Sequence, residues 1–132
     1  LVNNAGITRD WVLARMSRDQ WDSVINTNLG SMFNATKPLV LQMVKQRSGH
    51  IINISSLAGV VGFKHCAAYA ASKFAVEGLS LSVAAEVERF GIKITLVVKE
   101  RLASLDDVRA MKFQTYFWAG NYQFSNVFKA VQ

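Results

Sequence analysis

The hydrophobic pattern of the chain divides it into short apolar runs and longer segments with helical spacing. Residues 51–54 are mostly β-branched and apolar, which predicts a buried parallel strand. Residues 92–98 alternate in part and predict another strand, and residues 1–2 have the character of a strand end. The pattern therefore predicts three strands that are far apart in the sequence.

The segment between the first two strands is predicted to be helical. Ser17 followed by Gln20 has the spacing of a capping box, so a helix should begin near Arg18 and continue to Leu29 with apolar residues at helical spacing. Pro38 predicts either a break or the first turn of a second helical stretch over 38–47.

Glycines mark the ends of the predicted helices. Gly49 follows the 38–47 stretch, and Gly91 follows a helix predicted over 68–90 that is rich in Ala, Leu and Val. The resulting order is strand, helix, strand, helix, strand, with right-handed crossovers. We therefore predict an α/β fold, a partial Rossmann-like doubly wound parallel sheet of three strands, followed by an irregular C-terminal tail.

Candidate chemistry is concentrated after the central strand. Ser55 and Ser56 follow that strand at its carboxyl end, where open α/β sheets bind their ligands. Tyr69 and Lys73 are four residues apart and should share one face of the next helix. A tyrosine transfers protons near neutrality only if its phenolate is stabilised by about 4 kcal/mol. One cation nearby stabilises a phenolate by about that much at an effective dielectric constant near 20. The charge of Lys73 would therefore be enough to lower the pKa of Tyr69 by the required amount.

Four motifs resemble those of the short-chain dehydrogenase/reductase family, in family order and at family spacing over roughly residues 1–98. They are Asn3-Asn4-Ala5-Gly6, Asn28 within residues 26–29, Asn53-Ile54-Ser55-Ser56 and Tyr69-Ala70-Ala71-Ser72-Lys73. Residues 4–10 and Arg15-Met16 resemble most the bacterial 3-oxoacyl-acyl-carrier-protein reductases.

The resemblance implies roles for named side chains. Tyr69 would carry the proton, Lys73 would favour the phenolate, Ser56 would orient the substrate oxygen and Asn28 would anchor a proton relay. Residues that would contact the cofactor are Asn4, Ala5, Gly6 and Ile54, together with Tyr69 and Lys73. The implied cofactor is NADP or NAD, with a slight preference for NADP, and no metal is expected.

The implied activity is NAD(P)-dependent interconversion of a carbonyl and a secondary alcohol, and a 3-oxoacyl thioester is the favoured substrate. The implied partners are the small-molecule substrate and a second copy of the chain, as a homodimer or homotetramer through helix 68–90.

A second hypothesis starts from what the sequence lacks. It begins with Leu1 and contains no G-x-G-x-x-G, and we expect about 80 residues, or two to three βα units, to be missing upstream. A truncated chain would then be inactive, would change NADPH fluorescence little, and would act only by pairing with full-length relatives.

The last part of the chain departs from the family pattern. Lys99 and Glu100 stand where the family has Pro-Gly, which puts the seating of the nicotinamide in doubt. The resemblance therefore implies that 1–98 is the C-terminal part of a Rossmann-type short-chain dehydrogenase domain and that 99–132 is a divergent tail, either a substrate lid or an aberrant terminus.

Composition limits the number of domains, the binding partners and the cellular location that can be expected. The 132 residues are 51% hydrophobic, enough for one small domain, and no apolar run is long enough to span a bilayer. The net charge is +6, but the 15 Lys and Arg are scattered, so neither nucleic acid nor a membrane is expected as a partner. A single cysteine and no recognisable signal peptide fit a cytoplasmic protein.

Overall fold

A computed structural model describes residues 1–99. Three parallel strands form one sheet in the order β1-β2-β3, with β1 at Val2–Asn3, β2 at Gly49–Ser56 and β3 at Ile92–Lys99. Asn3 pairs with Asn53, and the pairing of β2 with β3 runs from Gly49↔Ile92 to Ser56↔Lys99. The predicted three-stranded parallel sheet with helical crossovers is confirmed.

The crossover from β1 to β2 is one long helical run with a wide turn in its middle. Helix α1 spans Arg18–Ile25, a π-helical turn spans Asn26–Gly30, and α2 spans Ser31–Gln46. Both bonds of the capping box are present: Gln20 N donates to Ser17 Oγ over 3.1 Å, and Ser17 N donates to Gln20 Oε1 over 2.9 Å. The predicted start near Arg18 is therefore confirmed.

Both alternatives predicted for Pro38, a break or the first turn of a helical stretch over 38–47, are wrong, because α2 begins at Ser31 and Pro38 lies inside it. A proline in a helix removes the N–H that would bond the carbonyl four residues earlier, here that of Asn34. Both Asn34 and Pro38 are exposed, so water can satisfy that carbonyl.

The predicted C-terminal role of Gly49 is also wrong. Arg47 adopts the left-handed conformation at the end of α2, with φ 52°, and Gly49 is already the first residue of β2. A Cβ at Gly49 would lie 2.5 Å from Met43 Cγ. Gly49 therefore allows the strand to start close against α2 and does not form the turn itself.

The crossover from β2 to β3 is the helix α3, which spans Ala67–Val87. A 3₁₀ turn at Leu57–Gly59 precedes it, and another at Glu88–Phe90 follows it. Gly91 then adopts the left-handed conformation, with φ 73°, as predicted for the glycine that ends this helix. Within residues 1–99, no helix is both long and apolar enough to cross a membrane.

One core joins the helices α2 and α3 to the sheet. Met32 of α2, Val76 of α3 and Leu96 of β3 form a buried cluster. Both α2 and α3 therefore pack on the same face of the sheet. Transfer of such side chains from water contributes about 25 cal/mol per Å² of apolar surface, which is the main favourable term for this layer.

A buried chain of polar side chains runs beside that core. Asn3 Nδ2 donates to Thr36 Oγ1 over 3.0 Å and to Asn53 Oδ1 over 2.8 Å. Asn53 Nδ2 donates to Ser80 Oγ over 2.8 Å, and Ser80 Oγ donates to Val76 O over 2.6 Å. Asn3 and Asn53 are the first residues of two of the four motifs. Together they link β1 and β2 to α2 and α3 and fix the strand ends from which the candidate site is built.

Candidate active site

Tyr69 and Lys73 lie close together on α3, as their spacing predicts. The Lys73 ammonium is 5.8 Å from the centroid of the Tyr69 ring, within the distance of a cation–π contact. Lys73 is only 5% exposed, and its Nζ donates a hydrogen bond of 2.8 Å to the carbonyl of Ile54. The lysine therefore ties the start of α3 to the carboxyl end of β2 while it faces the tyrosine.

Asn28 is held by hydrogen bonds from two distant parts of the chain. Its Nδ2 donates to Ile7 O over 3.0 Å and to Ser72 Oγ over 2.9 Å, and its Oδ1 accepts from Ile7 N over 2.7 Å. The side chain is 2% exposed and belongs to the π-helical turn. Such turns occur frequently at functional sites, and this one places Asn28 between α3 and the loop that follows β1.

Gly6 lies between Asn28 and Lys73. A Cβ built on Gly6 would be 3.6 Å from Asn28 Oδ1 and 3.7 Å from Lys73 Nζ. The glycine therefore leaves a space that both polar groups border. Three residues predicted for the site from separate motifs are brought together here.

Ser56 is buried at the end of β2, with 2% of its surface exposed. Its Oγ accepts a hydrogen bond of 3.2 Å from Ala58 N, which caps the turn at Leu57–Gly59. Accepting this bond leaves the hydroxyl hydrogen available to another acceptor. Ser56 is therefore positioned by its own turn at the same edge of the sheet as the other candidates.

A cavity of about 190 Å³ opens at the carboxyl ends of β1 and β2. Asn4, Ala5, Asn28 and Ile54 are among its lining residues, whereas Ser56, Tyr69, Lys73 and Gly6 are not. The cavity is smaller than the roughly 300–1,000 Å³ of a pocket that encloses a whole small ligand. Asn4 and Asn28 supply amide groups to the lining, and amides donate and accept hydrogen bonds, so the residues present fit one part of a dinucleotide.

Ser72 is a site residue that sequence reasoning missed. It is fully buried, accepts the bond from Asn28, and donates a hydrogen bond of 2.7 Å to Tyr69 O. The available signal was a polar residue between Tyr69 and Lys73 in a helix otherwise rich in alanine. Ser72 connects the predicted relay residue to the helix turn that carries the predicted proton donor.

Glu77 is a second residue that was missed, one turn after Lys73 on α3. Its Oε1 is enclosed by protein, as is the hydroxyl of Ser55. Neither atom has a hydrogen-bond partner among residues 1–99. Burial raises the pKa of Glu77, while the charge of Lys73 acts in the opposite direction. The net direction is upward, so the effect of burial is the larger one.

Comparison with models of known protein families shows to which family the chain belongs. The family model described as short chain dehydrogenase matches residues 1–101. The chain belongs to the short-chain dehydrogenase family. This confirms the resemblance inferred from the four motifs, and the match covers every candidate site residue.

Curated members of this short-chain dehydrogenase family match over 97 residues. The 3-oxoacyl-[acyl-carrier-protein] reductase of Staphylococcus aureus (strain Mu50) is 50% identical, and that of Chlamydia trachomatis serovar D is 47% identical. Each match covers 74% of this chain and 39% of the relative. The chain thus spans about two fifths of the length of these curated relatives.

A solved short-chain dehydrogenase structure supports the fold. A protein from Beutenbergia cavernae, described as a putative NAD(P)-dependent gluconate 5-dehydrogenase with bound NADP at low occupancy, superposes with a TM-score of 0.75 at 30% identity. The superposition covers 83% of this chain and 45% of that one. The Rossmann-like fold predicted from the sequence is therefore confirmed.

Two predictions lie outside what the structure describes. The seating of the nicotinamide depends on the segment that starts at Lys99-Glu100, and the tail hypothesis concerns 99–132. Lys99 ends β3, and residues 100–132 lie outside the described residues. No group of three or more metal-ligating side chains occurs in the described part.

Proposed function

We propose that this chain carries the catalytic half of an NAD(P)-dependent oxidoreductase that interconverts a carbonyl and a secondary alcohol. The observation that carries the proposal is the contact of Tyr69 with Lys73, 5.8 Å from ring centroid to ammonium, beside the space at Gly6 that Asn28 also borders. A phenol, a buried ammonium and an amide at one strand end form a set suited to moving one proton.

Each side chain has one role in the proposed reaction. Tyr69 gives the proton to the substrate oxygen or takes it back, and Lys73 stabilises the phenolate that remains. Ser56 donates a hydrogen bond to the same oxygen, because its hydroxyl hydrogen is not used by the bond from Ala58. Asn28 and Lys73 border the space through which a proton would return to Tyr69 from solvent.

A nicotinamide dinucleotide would supply the hydride when bound. Asn4, Ala5 and Ile54 would hold it, and their position in the lining of the cavity supports this assignment. Gly6, Tyr69 and Lys73 would contact it next to the substrate. We favour NADP over NAD, and the match to 3-oxoacyl-[acyl-carrier-protein] reductases favours a 3-oxoacyl thioester as substrate.

The test compares wild type with Tyr69→Phe in reduction of a short 3-oxoacyl thioester, followed by loss of NADPH absorbance. The phenylalanine keeps the ring but removes the proton, and loss of acid–base catalysis costs about 10²–10⁴ in rate. We expect turnover to fall by that order while NADPH fluorescence titrations stay unchanged. Equal turnover in the two proteins would refute the role of Tyr69.

A second candidate function has its own supporting observation. Helix α3 exposes Phe74, with 48% of its surface accessible, opposite its buried side. A helix that is apolar on both sides favours burial against a partner. In this hypothesis the chain is catalytically inactive and pairs through α3 with itself or with full-length relatives.

Sedimentation velocity separates the two candidates when combined with the NADPH titration. Phe74→Lys should convert an α3-paired dimer to monomer, since a charge would have to be buried in the contact. A dimer that binds no NADPH and is dissolved by Phe74→Lys supports the second function. NADPH binding with Tyr69-dependent turnover supports the first.

A further inference from the structure

Ser31 is the first residue of α2 and directly follows the π-helical turn that carries Asn28. It is half-buried and lines the cavity at the strand ends, as Asn28 does. Its hydroxyl can donate one hydrogen bond and accept others. The polar group of Ser31 therefore lies next to the predicted relay residue, and the bonds it makes can affect how that residue is held.

Ser31 makes two hydrogen bonds to the wide turn that precedes it. Its backbone N–H donates to Asn26 O, five positions earlier, and its Oγ donates to Thr27 O, four positions earlier. In an α-helix the backbone N–H of residue 31 would itself donate to the carbonyl of residue 27. The hydroxyl therefore gives Thr27 O a donor in place of the backbone N–H that the wide turn directs to Asn26 O.

This exchange of donors distinguishes Ser31 from a serine in a regular helix. Ser80 Oγ also donates to a carbonyl four positions earlier, that of Val76, but it does so within α3, which is α-helical there. Side-chain bonds of that kind compete with the backbone and slightly destabilise a helix. At Ser31 the backbone N–H has a different acceptor, so its side-chain bond replaces a backbone bond and does not duplicate one.

The replacement lowers the cost of leaving the α-helical pattern at this point. A carbonyl that is withdrawn from water without a donor disfavours the folded state, and Thr27 is half-buried. Without the hydroxyl, the backbone N–H of residue 31 would gain by returning to Thr27 O. The wide turn would then no longer end where it does.

The direction of the Asn28 side chain depends on where the wide turn ends. Asn28 is the middle residue of the turn, and its side chain joins Ile7 to Ser72 through three hydrogen bonds of 2.7–3.0 Å. Reaching the loop after β1 and α3 at the same time requires one particular direction of the side chain. The backbone bond that closes the turn after Asn28 is the one from Ser31 N to Asn26 O.

We propose that Ser31 is a positioning residue for Asn28. Its hydroxyl bonds Thr27 O, so its backbone N–H stays on Asn26 O. The wide turn is thereby kept in place, with the Asn28 side chain between α3 and the loop that follows β1. The inference rests on the proposed function, because the task of Asn28 there is to border the path by which a proton returns to Tyr69.

The test observes the bonds of residue 31 by NMR in the full chain, without cofactor or substrate. Scalar coupling across a hydrogen bond connects the amide nitrogen of residue 31 with the carbonyl carbon of its acceptor, which we expect to be Asn26 in wild type. In Ser31→Ala and Ser31→Val, which lack the hydroxyl, the coupling should move to Thr27. Ser31→Thr has the shape of the valine variant but keeps a hydroxyl that can bond the carbonyl four residues earlier, so its coupling should stay with Asn26.

The same variants report on Asn28. In Ser31→Ala and Ser31→Val we expect the side-chain amide signals of Asn28 to shift and the Ile7 amide to exchange about tenfold faster, which corresponds to the loss of one ordinary hydrogen bond. Ser31→Thr should keep both at their wild-type values. Ser23→Ala is the matched control, because it removes a hydroxyl that donates to Gln20 O in the regular helix α1, and it should change neither.

Three results would overturn the proposal. The first is a wild-type coupling from Ser31 N to the carbonyl carbon of Thr27. The second is a set of Asn28 signals in Ser31→Ala that equals that of wild type, and the third is a change in Ser31→Thr as large as that in Ser31→Val. The first result needs no substitution, so the test stays decisive even if a variant disturbs folding.

The NMR result is independent of turnover. If Tyr69→Phe and wild type were equally active, the proposed function would fail while the effect of Ser31 on Asn28 could still be observed. If the Asn28 signals did not respond to Ser31→Ala while Tyr69→Phe lost activity, the positioning role alone would fail.

Discussion

The ammonium of Lys73 and the carbonyl of Ile54 are joined by a hydrogen bond of 2.8 Å between α3 and the end of β2. The bond gives Lys73 a structural task in addition to the electrostatic one proposed for it. It also places Ile54, predicted as a cofactor contact, where its carbonyl holds the lysine while the residue lines the cavity.

Removing this bond should destabilise the fold. Lys73→Met keeps the length of the side chain but leaves the Ile54 carbonyl without its charged donor. Hydrogen bonds to charged groups contribute about 1.5–3 kcal/mol, and we expect the free energy of unfolding in urea to fall by about that amount. Lys93→Met, at an exposed position of β3, is the control, and equal unfolding free energies for the two variants would contradict the assignment.

Asn28→Ala should release the loop that follows β1. The variant removes the bonds to Ile7 N, Ile7 O and Ser72 Oγ, and each unsatisfied buried group costs about 1–3 kcal/mol. We expect a loss of about 3 kcal/mol and faster hydrogen exchange at the Ile7 amide. Asn34→Ala, exposed on α2, should change neither. Unchanged protection of Ile7 in Asn28→Ala would be inconsistent with the clamp.

Gly59→Ala should lower the free energy of unfolding more than Gly62→Ala does. Its Cβ would lie 2.7 Å from Ser55 Oγ and 3.0 Å from Lys73 O, whereas nothing lies within 4 Å of a Cβ on Gly62. Overpacking typically costs about 1–3 kcal/mol, while an unstrained Gly→Ala change is neutral or stabilising by about 0.4–1 kcal/mol. Chemical denaturation of both variants measures the difference, and an equal response would show that the 57–59 turn is not pressed on α3.

Glu77 should make stability depend on pH in a defined direction. Because the pKa of Glu77 is raised above the ordinary 4.5, the folded chain keeps a proton that the unfolded chain has released. The contribution of this group is therefore greatest below the ordinary value and is lost as pH rises through the raised pKa. We expect the unfolding free energy of wild type, relative to Glu77→Gln, to fall as pH rises from below 4.5 to neutrality. Parallel pH profiles for wild type and Glu77→Gln would count against a buried carboxylate.

Local sequence rules were sufficient to predict much of the fold and the pairing of Tyr69 with Lys73 in the candidate site. The capping box depends only on Ser17 and Gln20, which are three positions apart, and it is present as predicted. Four-residue spacing was enough to bring Tyr69 and Lys73 together, because α3 is regular there. Strand ends in a parallel sheet meet at one edge, so the serines and the Asn3–Gly6 turn were also predictable as neighbours.

What the sequence could not provide depends on contacts between distant residues. Asn28 is held by Ile7 and Ser72, which are 21 and 44 positions away, and no local pattern encodes such partners. The role of Gly49 depends on the position of Met43 in a packed helix, and the tolerance of Pro38 depends on which face of α2 meets solvent. Glu77 was missed for the same reason, because its significance comes from Ser55 and Gly59 on another element.

The wide turn at Asn26–Gly30 corrects the rotational phase of the helical run that contains it. Val24, Asn28, Met32 and Thr36 are all buried, yet they recur every four residues, and an α-helix advances about 100° per residue. A continuous α-helix would therefore rotate each of them about 40° past the one before, carrying Thr36 about 120° away from Val24. One extra residue absorbed in the wide turn cancels most of that drift. The same irregularity that presents Asn28 to the site thus keeps α1 packed against α3 and α2 packed against the sheet, so deleting a single residue there would disrupt the core and the candidate site together.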